Sequence, residues 1–205
     1  MIQFFGQKHP ICTEYANFPV PLRAITPISA EQAQEAYRAI SDPKNIKTYG
    51  KREAPYPGAD CFYYPPFLKG IYKAVGEHIR QFLNFDIVDT YYYARLYNTG
   101  NELKIHADRG SCFVSVSLCL GYDYSPLFPE GAAWPIGALE GTETGPGKEV
   151  AFNMQPGDGM LYPGCSAPHW RDMFLGAKCG QAFFHWVPKD DHVFGEYYGD
   201  PDKLA

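Results

Sequence analysis

Several things are missing from this sequence, and each absence narrows the field. No run approaches the roughly 18 consecutive apolar residues needed to cross a bilayer. The opening stretch MIQFFGQKHPICTEY lacks the basic segment followed by a long apolar segment that marks a secretory signal. The six cysteines (Cys12, Cys61, Cys112, Cys119, Cys165, Cys179) are scattered, and no two form a C-x-x-C pair. In a chain without an export signal they are expected to be free thiols in a reducing compartment, so the expected location is the cytoplasm. There is no Lys/Arg cluster, and the formal net charge of -5 argues against a general nucleic-acid binder, which would carry a basic field. Internal repeats, low-complexity tracts and linkers are also lacking. The 205 residues are therefore expected to form a single domain, long enough to bury a substantial core.

What is abundant is turn-forming and aromatic: 20 Gly, 18 Pro, 16 Tyr and 14 Phe, a composition that favours turns and short strands over long helices. Residues 1 to about 28 read as extended and irregular. Ser29, followed three residues later by Gln32, forms a capping-box pattern ahead of Ala33, Ala36, Tyr37 and Ile40, which predicts a helix over about 29–41 that ends at Asp42-Pro43. A Tyr/Pro/Gly loop follows over about 49–64. A second helix is predicted over about 66–84, with Phe67, Ile71, Val75, Ile79 and Phe82 as its apolar stripe. From Ile87 the period changes to two: IVDTYYYARLY, KIHADRGSCFVSVSLCL, EVAFNM, GMLYPG and QAFFHWV read as short strands separated by Gly/Pro/Asn turns. The expected fold is mainly β with flanking helices: a barrel-like double sheet over about 87–188, with both helices packed on one outer face. The segment from Tyr124 to Lys148 is expected to be a loop or short hairpin near the barrel mouth, and the tail after Lys189 to drape over the surface.

The chemistry begins at His106 and Asp108. Residues i and i+2 of a strand point to the same face, so an imidazole and a carboxylate would project together into the barrel. Two histidines on later strands, His169 and His185, compete to be a third ligand. His9, His78 and His192 lie in terminal segments or on a helix and read as bystanders. Two histidines and one carboxylate are the ligand set of non-heme Fe(II) oxygenases, which leaves coordination positions open for substrates. An alternative is a cupin-like module that binds a metal or sugar without turnover. A hydrolytic zinc enzyme lacks an evident general-base glutamate beside these ligands.

The order of motifs resembles the Fe(II)- and 2-oxoglutarate-dependent dioxygenases, in their prolyl-hydroxylase-like branch. The matching features are Tyr97-Asn98-Thr99-Gly100 and Leu103 leading to His106-x-Asp108, the strand SCFVSVSLCLGY, Pro156-Gly157-Asp158-Gly159 with Leu161-Tyr162, then His169 and a cation nine residues on, Lys178. The resemblance spans about Thr90 to Val187 and implies a double-stranded β-helix, the cupin-like jelly roll. It favours His169 over His185, making His106, Asp108 and His169 the expected catalytic metal ligands for Fe(II). It also implies 2-oxoglutarate and O2 as co-substrates, with Lys178 and Tyr97 holding the distal carboxylate of 2-oxoglutarate. Arg171, two residues after His169, would share the inward face of a regular strand. It could grip that carboxylate in place of Lys178, or bind an acidic group on the substrate. Arg95, Tyr93 and Tyr91 share parity with Tyr97 and are candidate substrate-lining residues. The implied reaction is hydroxylation of an unactivated C–H bond of a small, amino-acid-like molecule or a peptidyl residue, with release of succinate and CO2. In halogenating relatives a small residue replaces the acid. The presence of Asp108 therefore favours hydroxylation, or desaturation, over halogenation.

Overall fold

The computed structural model describes residues 18–52, 58–141 and 147–189. Two antiparallel sheets dominate it. In chain order the strands are β1 (Arg23–Ile25), β2 (Gly50–Arg52), β3 (Asp60–Tyr63), β4 (Ile87–Asn98), β5 (Leu103–His106), β6 (Val114–Asp123), β7 (Ile136–Glu140), β8 (Lys148–Phe152), β9 (Gly159–Tyr162), β10 (His169–Arg171) and β11 (Lys178–Pro188). The larger sheet runs β1-β9-β6-β11-β4-β3-β2 and the smaller β5-β10-β7-β8. Three helices, α1 (Ala30–Ser41), α2 (Pro43–Tyr49) and α3 (Lys69–Arg80), lie upstream of the long strands.

Local chemistry accounts for the helices. The Ser29 hydroxyl accepts from the Gln32 amide N–H while the Gln32 side chain accepts from the Ser29 N–H, so the capping box is complete. Asp42-Pro43 does end α1, but it also opens α2, because the Asp42 carboxylate accepts from the Lys44 amide and Pro43 occupies the first turn. The second predicted helix begins as a 3-10 turn at Pro66–Leu68 and becomes α-helical at Lys69. Its buried stripe is Leu68, Tyr72, Val75, Gly76 and Ile79, rotated from the expected one. Phe67, Ile71 and Phe82 are only half-buried at its margin.

Three strands escaped the sequence reading: β1 in the irregular N-terminal region, and β2 and β3 in the Tyr/Pro/Gly stretch. All are three or four residues long and sit at or near sheet edges, too short to display a period. The segment from Tyr124 to Lys148 contains β7, which pairs with β8 in the hairpin register Ile136↔Phe152 to Glu140↔Lys148. The tail after Lys189 lies outside the described residues.

The large sheet has a core on each face. On one, Ala33, Ala36, Tyr37 and Ile40 of α1 and Tyr72, Val75 and Ile79 of α3 meet Leu96, Leu118, Phe184 and Trp186. On the other, Tyr97, Cys119, Met160 and Phe183 meet Ile136 and Ala138 of the small sheet, with Trp134 and Phe174 between. Strand β11 stays in unbroken register with β4 from Lys178↔Asn98 to Phe184↔Tyr92. Its side chains therefore alternate strictly: Gly180, Ala182 and Phe184 face the helices, while Cys179, Gln181 and Phe183 face the small sheet.

The approach of α1 to the sheet depends on missing side chains. A Cβ on Gly180 would fall 2.6 Å from the Tyr37 ring and 2.7 Å from Ile40 Cδ1. Gly180→Ala should therefore destabilise the protein by about 1–3 kcal/mol through overpacking. Gly70→Ala, with nothing within 4 Å of the added methyl, should be tolerated. Denaturant midpoints of the two variants check the contrast.

Candidate metal centre

The small sheet brings the first histidines together. β10 pairs with β5 so that His169 and His106 are direct Cα partners, and their rings lie 4.3 Å apart between centroids. Asp108 arrives differently from the sequence expectation. Strand β5 ends at His106, and Asp108 occupies the turn before a 3-10 turn at Gly110–Cys112. Its carboxylate is positioned by the backbone, the Asp108 amide donating to the Gly164 carbonyl at 2.9 Å, and not by strand parity. The three side chains still converge: Asp108 Oδ1 is 3.6 Å from His106 Nε2 and 3.8 Å from His169 Nε2.

Both ring nitrogens that face away from this point are committed. His106 Nδ1 donates to the Lys104 carbonyl at 2.8 Å, and His169 Nδ1 to the Ala167 carbonyl at 3.0 Å. A carbonyl can only accept, so each Nδ1 carries a proton, and each Nε2, aimed at Asp108, is the ring nitrogen left to ligate a metal. Two imidazole nitrogens and one carboxylate oxygen, mutually within 4.8 Å, fit a divalent transition metal. Tyr162 closes the site from behind. Its hydroxyl lies 3.5 Å from both Asp108 Oδ2 and His169 Nε2, and burial keeps it protonated.

Burial and charge set the protonation states. Burial opposes ionisation of Asp108, but His169 and His106 beside it outweigh that and hold its carboxyl down at about 2. Burial pushes His169 down to about 4, with the neighbouring His106 acting in the same sense. His106 is less enclosed. Burial opposes its protonation, yet the bond to Asp108 prevails and raises it.

The other expected site residues divide by strand face. Arg95, Tyr97 and Tyr93 on β4 are the Cα partners of Gln181, Cys179 and Phe183 on β11, so they share the face toward the small sheet. Arg171 is 1 % exposed inside the same space. Its guanidinium donates to the Trp134 carbonyl at 2.6 Å, Gln181 Oε1 at 2.9 Å and Ser117 Oγ at 3.3 Å, while its Nε is buried without a partner among the described residues. No carboxylate lies within ion-pair distance of Arg171 among the described residues. Lys178 shares parity with Gly180 and Ala182, the helix-side face, at the half-buried start of β11. The alternation of β11 turns Lys178 toward the helix side, while Arg171 and Arg95 are the cations buried inside. Tyr91 lies against the ring of His185 at 4.5 Å, and Tyr93 stacks on Phe183 at 4.7 Å, forming an aromatic wall beside the metal ligands. Sequence reasoning missed Ser117 and Gln181 as partners of Arg171. The strand parity that exposes Gln181 was available, but the cross-sheet distance was not.

No family model and no curated protein matches the chain by sequence. Solved structures do. The prolyl-4-hydroxylase of Pseudomonas putida superposes with a TM-score of 0.63 at 14% identity, covering 88% of this chain and 98% of that one. HygX from Streptomyces hygroscopicus, solved with nickel and 2-oxoglutarate bound, gives 0.61 at 10% identity over 90% of this chain and 88% of that one. The viral collagen prolyl hydroxylase of Paramecium bursaria Chlorella virus-1, in complex with 2-oxoglutarate, gives 0.55 at 12% identity over 80% and 94%. These neighbours are Fe(II)- and 2-oxoglutarate-dependent oxygenases with a jelly-roll fold, and the double-stranded β-helix expected from the motif order is the fold of this chain. No helix among the described residues is long and apolar enough to cross a membrane.

The buried imidazoles predict an acid response. A histidine held at about 4 when folded and titrating at 6.5 when unfolded binds fewer protons in the folded state between those values. Stability then rises with pH across that window and is lost as pH falls through it. The metal-free protein should lose stability from pH 6.5 down to about 4, read as a falling denaturant midpoint. His169→Gln should flatten that dependence.

Proposed function

We propose that the protein is an Fe(II)- and 2-oxoglutarate-dependent oxygenase that hydroxylates an unactivated C–H bond of a small molecule or peptidyl residue. The observation that carries this reading is the convergence of His106 Nε2, Asp108 Oδ1 and His169 Nε2 in a jelly roll that also holds a buried guanidinium without a carboxylate partner among the described residues. Iron with 2-oxoglutarate supplies O2 activation coupled to decarboxylation, so that substrate C–H, 2-oxoglutarate and O2 become C–OH, succinate and CO2. The chain's own groups hold and orient. His106 and His169 are fixed in their ligating tautomers by the Lys104 and Ala167 carbonyls. Tyr162 donates to the second oxygen of Asp108, leaving Oδ1 for the histidine side.

Arg171, with Tyr97 as hydroxyl partner, is the anchor we assign to the distal carboxylate of 2-oxoglutarate. Its present partners are neutral, and a planar guanidinium can grip a carboxylate through two parallel bonds. Tyr91, Tyr93 and Arg95 would line the prime-substrate side. The small-molecule reading draws support from a HygX structure solved with hygromycin B bound, which has a TM-score of 0.60 and 12% identity over 83% of this chain and 84% of that one.

The experiment is succinate release from 2-oxoglutarate under iron and air, screened over amino acids, peptides and small molecules, beside direct binding of Fe(II). His169→Ala should abolish iron binding at the triad and His185→Ala should spare it. The reverse pattern would transfer the third ligand to His185. Removing a buried charged partner costs about 2–5 kcal/mol of affinity. Arg171→Met should therefore weaken 2-oxoglutarate binding well over tenfold and leave the metal in place, with Lys178→Met near wild type. Inverted results would return the anchor to Lys178. Because Asp108 fills the acid position, the product should stay hydroxylated or desaturated in high chloride. A chlorinated product by mass spectrometry would refute the assignment of Asp108.

A further inference from the structure

Behind the triad lies a second group of metal-ligating atoms. Asp108, Cys112 and His185 each offer a ligand atom, and these atoms lie within 4.8 Å of one another. Cys112 is 2 % and His185 1 % exposed. Nothing in the proposed oxygenase chemistry uses either residue.

The hydrogen bonds fix the form in which His185 is present. The Ser115 hydroxyl donates its single hydrogen to the Cys112 carbonyl at 2.9 Å. Toward His185 Nδ1, 2.8 Å away, Ser115 Oγ can then only accept. The proton is therefore on Nδ1, and Nε2 carries a lone pair. That Nε2 is fully buried and has no hydrogen-bond partner among the described residues, which is costly for a polar atom. It sits beside the carboxylate of Asp108 and the sulfur of Cys112, whose thiol is kept protonated by burial, so the thiol hydrogen is the one an incoming metal ion would displace.

The sulfur is equally prepared. The Arg109 guanidinium donates to the Tyr91 hydroxyl at 3.4 Å, and that hydroxyl lies 3.1 Å from Cys112 Sγ with its own hydrogen free to donate. A donor aimed at a sulfur from the outer layer is the arrangement that steadies a ligating thiolate. Asp108 can serve both groups, because a carboxylate has two oxygens and Oδ1 is the one nearest His106 and His169.

We propose that Cys112, His185 and the Asp108 carboxylate form a second metal site, which takes a thiophilic divalent ion of the zinc class and shares Asp108 with the triad. Sulfur, imidazole nitrogen and carboxylate oxygen are the ordinary ligands of Zn2+, with bonds of about 2.0–2.3 Å. The thiolate distinguishes this site from the all-N/O triad and selects a softer ion. Binding forms the metal–sulfur bond and releases the Cys112 thiol proton to solvent. Because the inner ion draws on Asp108, zinc at this site should weaken iron binding at the triad.

The test uses the full-length protein with Co2+ as probe, since a thiolate bound to Co2+ gives an intense near-ultraviolet charge-transfer band that His/Asp ligation does not. Titration of the wild type should give that band and a second equivalent of bound metal. Cys112→Ser and, independently, His185→Gln should each remove the band and that equivalent, while Cys119→Ser keeps both. His169→Ala should lose only the thiolate-free equivalent, so the band separates this site from the oxygenase reading, which fails or stands on succinate release. A wild type that saturates without the band overturns the site, even if a variant does not fold. So does a band that survives Cys112→Ser.

Discussion

Asp108 is a charged carboxylate enclosed by three imidazoles, and most of what positions the centre exists to keep it there. Burial of such a charge is unfavourable unless compensating groups surround it. Here His106 and His169 stand 3.6 and 3.8 Å from one oxygen, and Tyr162 lies 3.5 Å from the other. The arrangement is reciprocal. The carboxylate raises His106, while burial keeps His169 and His185 low enough to stay neutral at ordinary pH. The result is one negative charge between the neutral imidazoles of His169 and His185 and a His106 whose proton it favours, a position that a metal cation takes by displacing that proton.

The backbone delivers these groups from separate elements. His106 ends β5, His169 begins β10, and the pairing of the two strands makes them Cα partners. Asp108 is tied instead to the turn after β9, through the hydrogen bond its amide N–H donates to the Gly164 carbonyl. Small-sheet register and large-sheet turn must therefore both be correct before the ligands meet. This explains why the residues between, Ala107 and the Gly110–Cys112 turn, depart from strand geometry. A regular strand would carry Asp108 onward with the sheet and away from Gly164.

Much of this was legible in the residues. The capping box at Ser29, the alternation of Ile87–Asn98 and Lys178–Pro188, and the order of His106, Asp108 and His169 all declare themselves through local pattern. The illegible parts are those decided by packing between elements. The α3 stripe is rotated toward Leu68 and Tyr72 because Tyr72 reaches the large sheet, donating its hydroxyl to the His185 carbonyl at 2.7 Å. Arg171 lies inside and Lys178 does not, because a cation nine residues beyond a histidine says nothing about which face it occupies until β11 is registered against β4. His185 illustrates the same limit from the other side. Its strand and inward face could be read from QAFFHW, but the lone pair left by Ser115 could not.

Gly164 shows how tightly the two sets of ligating atoms are bound together. A Cβ there would lie 2.3 Å from the Cys112 carbonyl oxygen, 2.4 Å from Ser115 Oγ and 2.8 Å from Asp108 Oδ2. Each atom belongs to the support of the centre: the carbonyl that takes the Ser115 hydrogen, the hydroxyl that sets the His185 tautomer, and the carboxylate itself. Backbone, hydroxyl and carboxylate occupy the space that any side chain at 164 would need. Glycine is required here for close approach, and the same closeness ties Asp108, shared by His106 and His169 on one side and Cys112 and His185 on the other, to the Ser115 hydroxyl. The outer triad and the inner cluster are thus mechanically one unit, built around a turn that has no room to move.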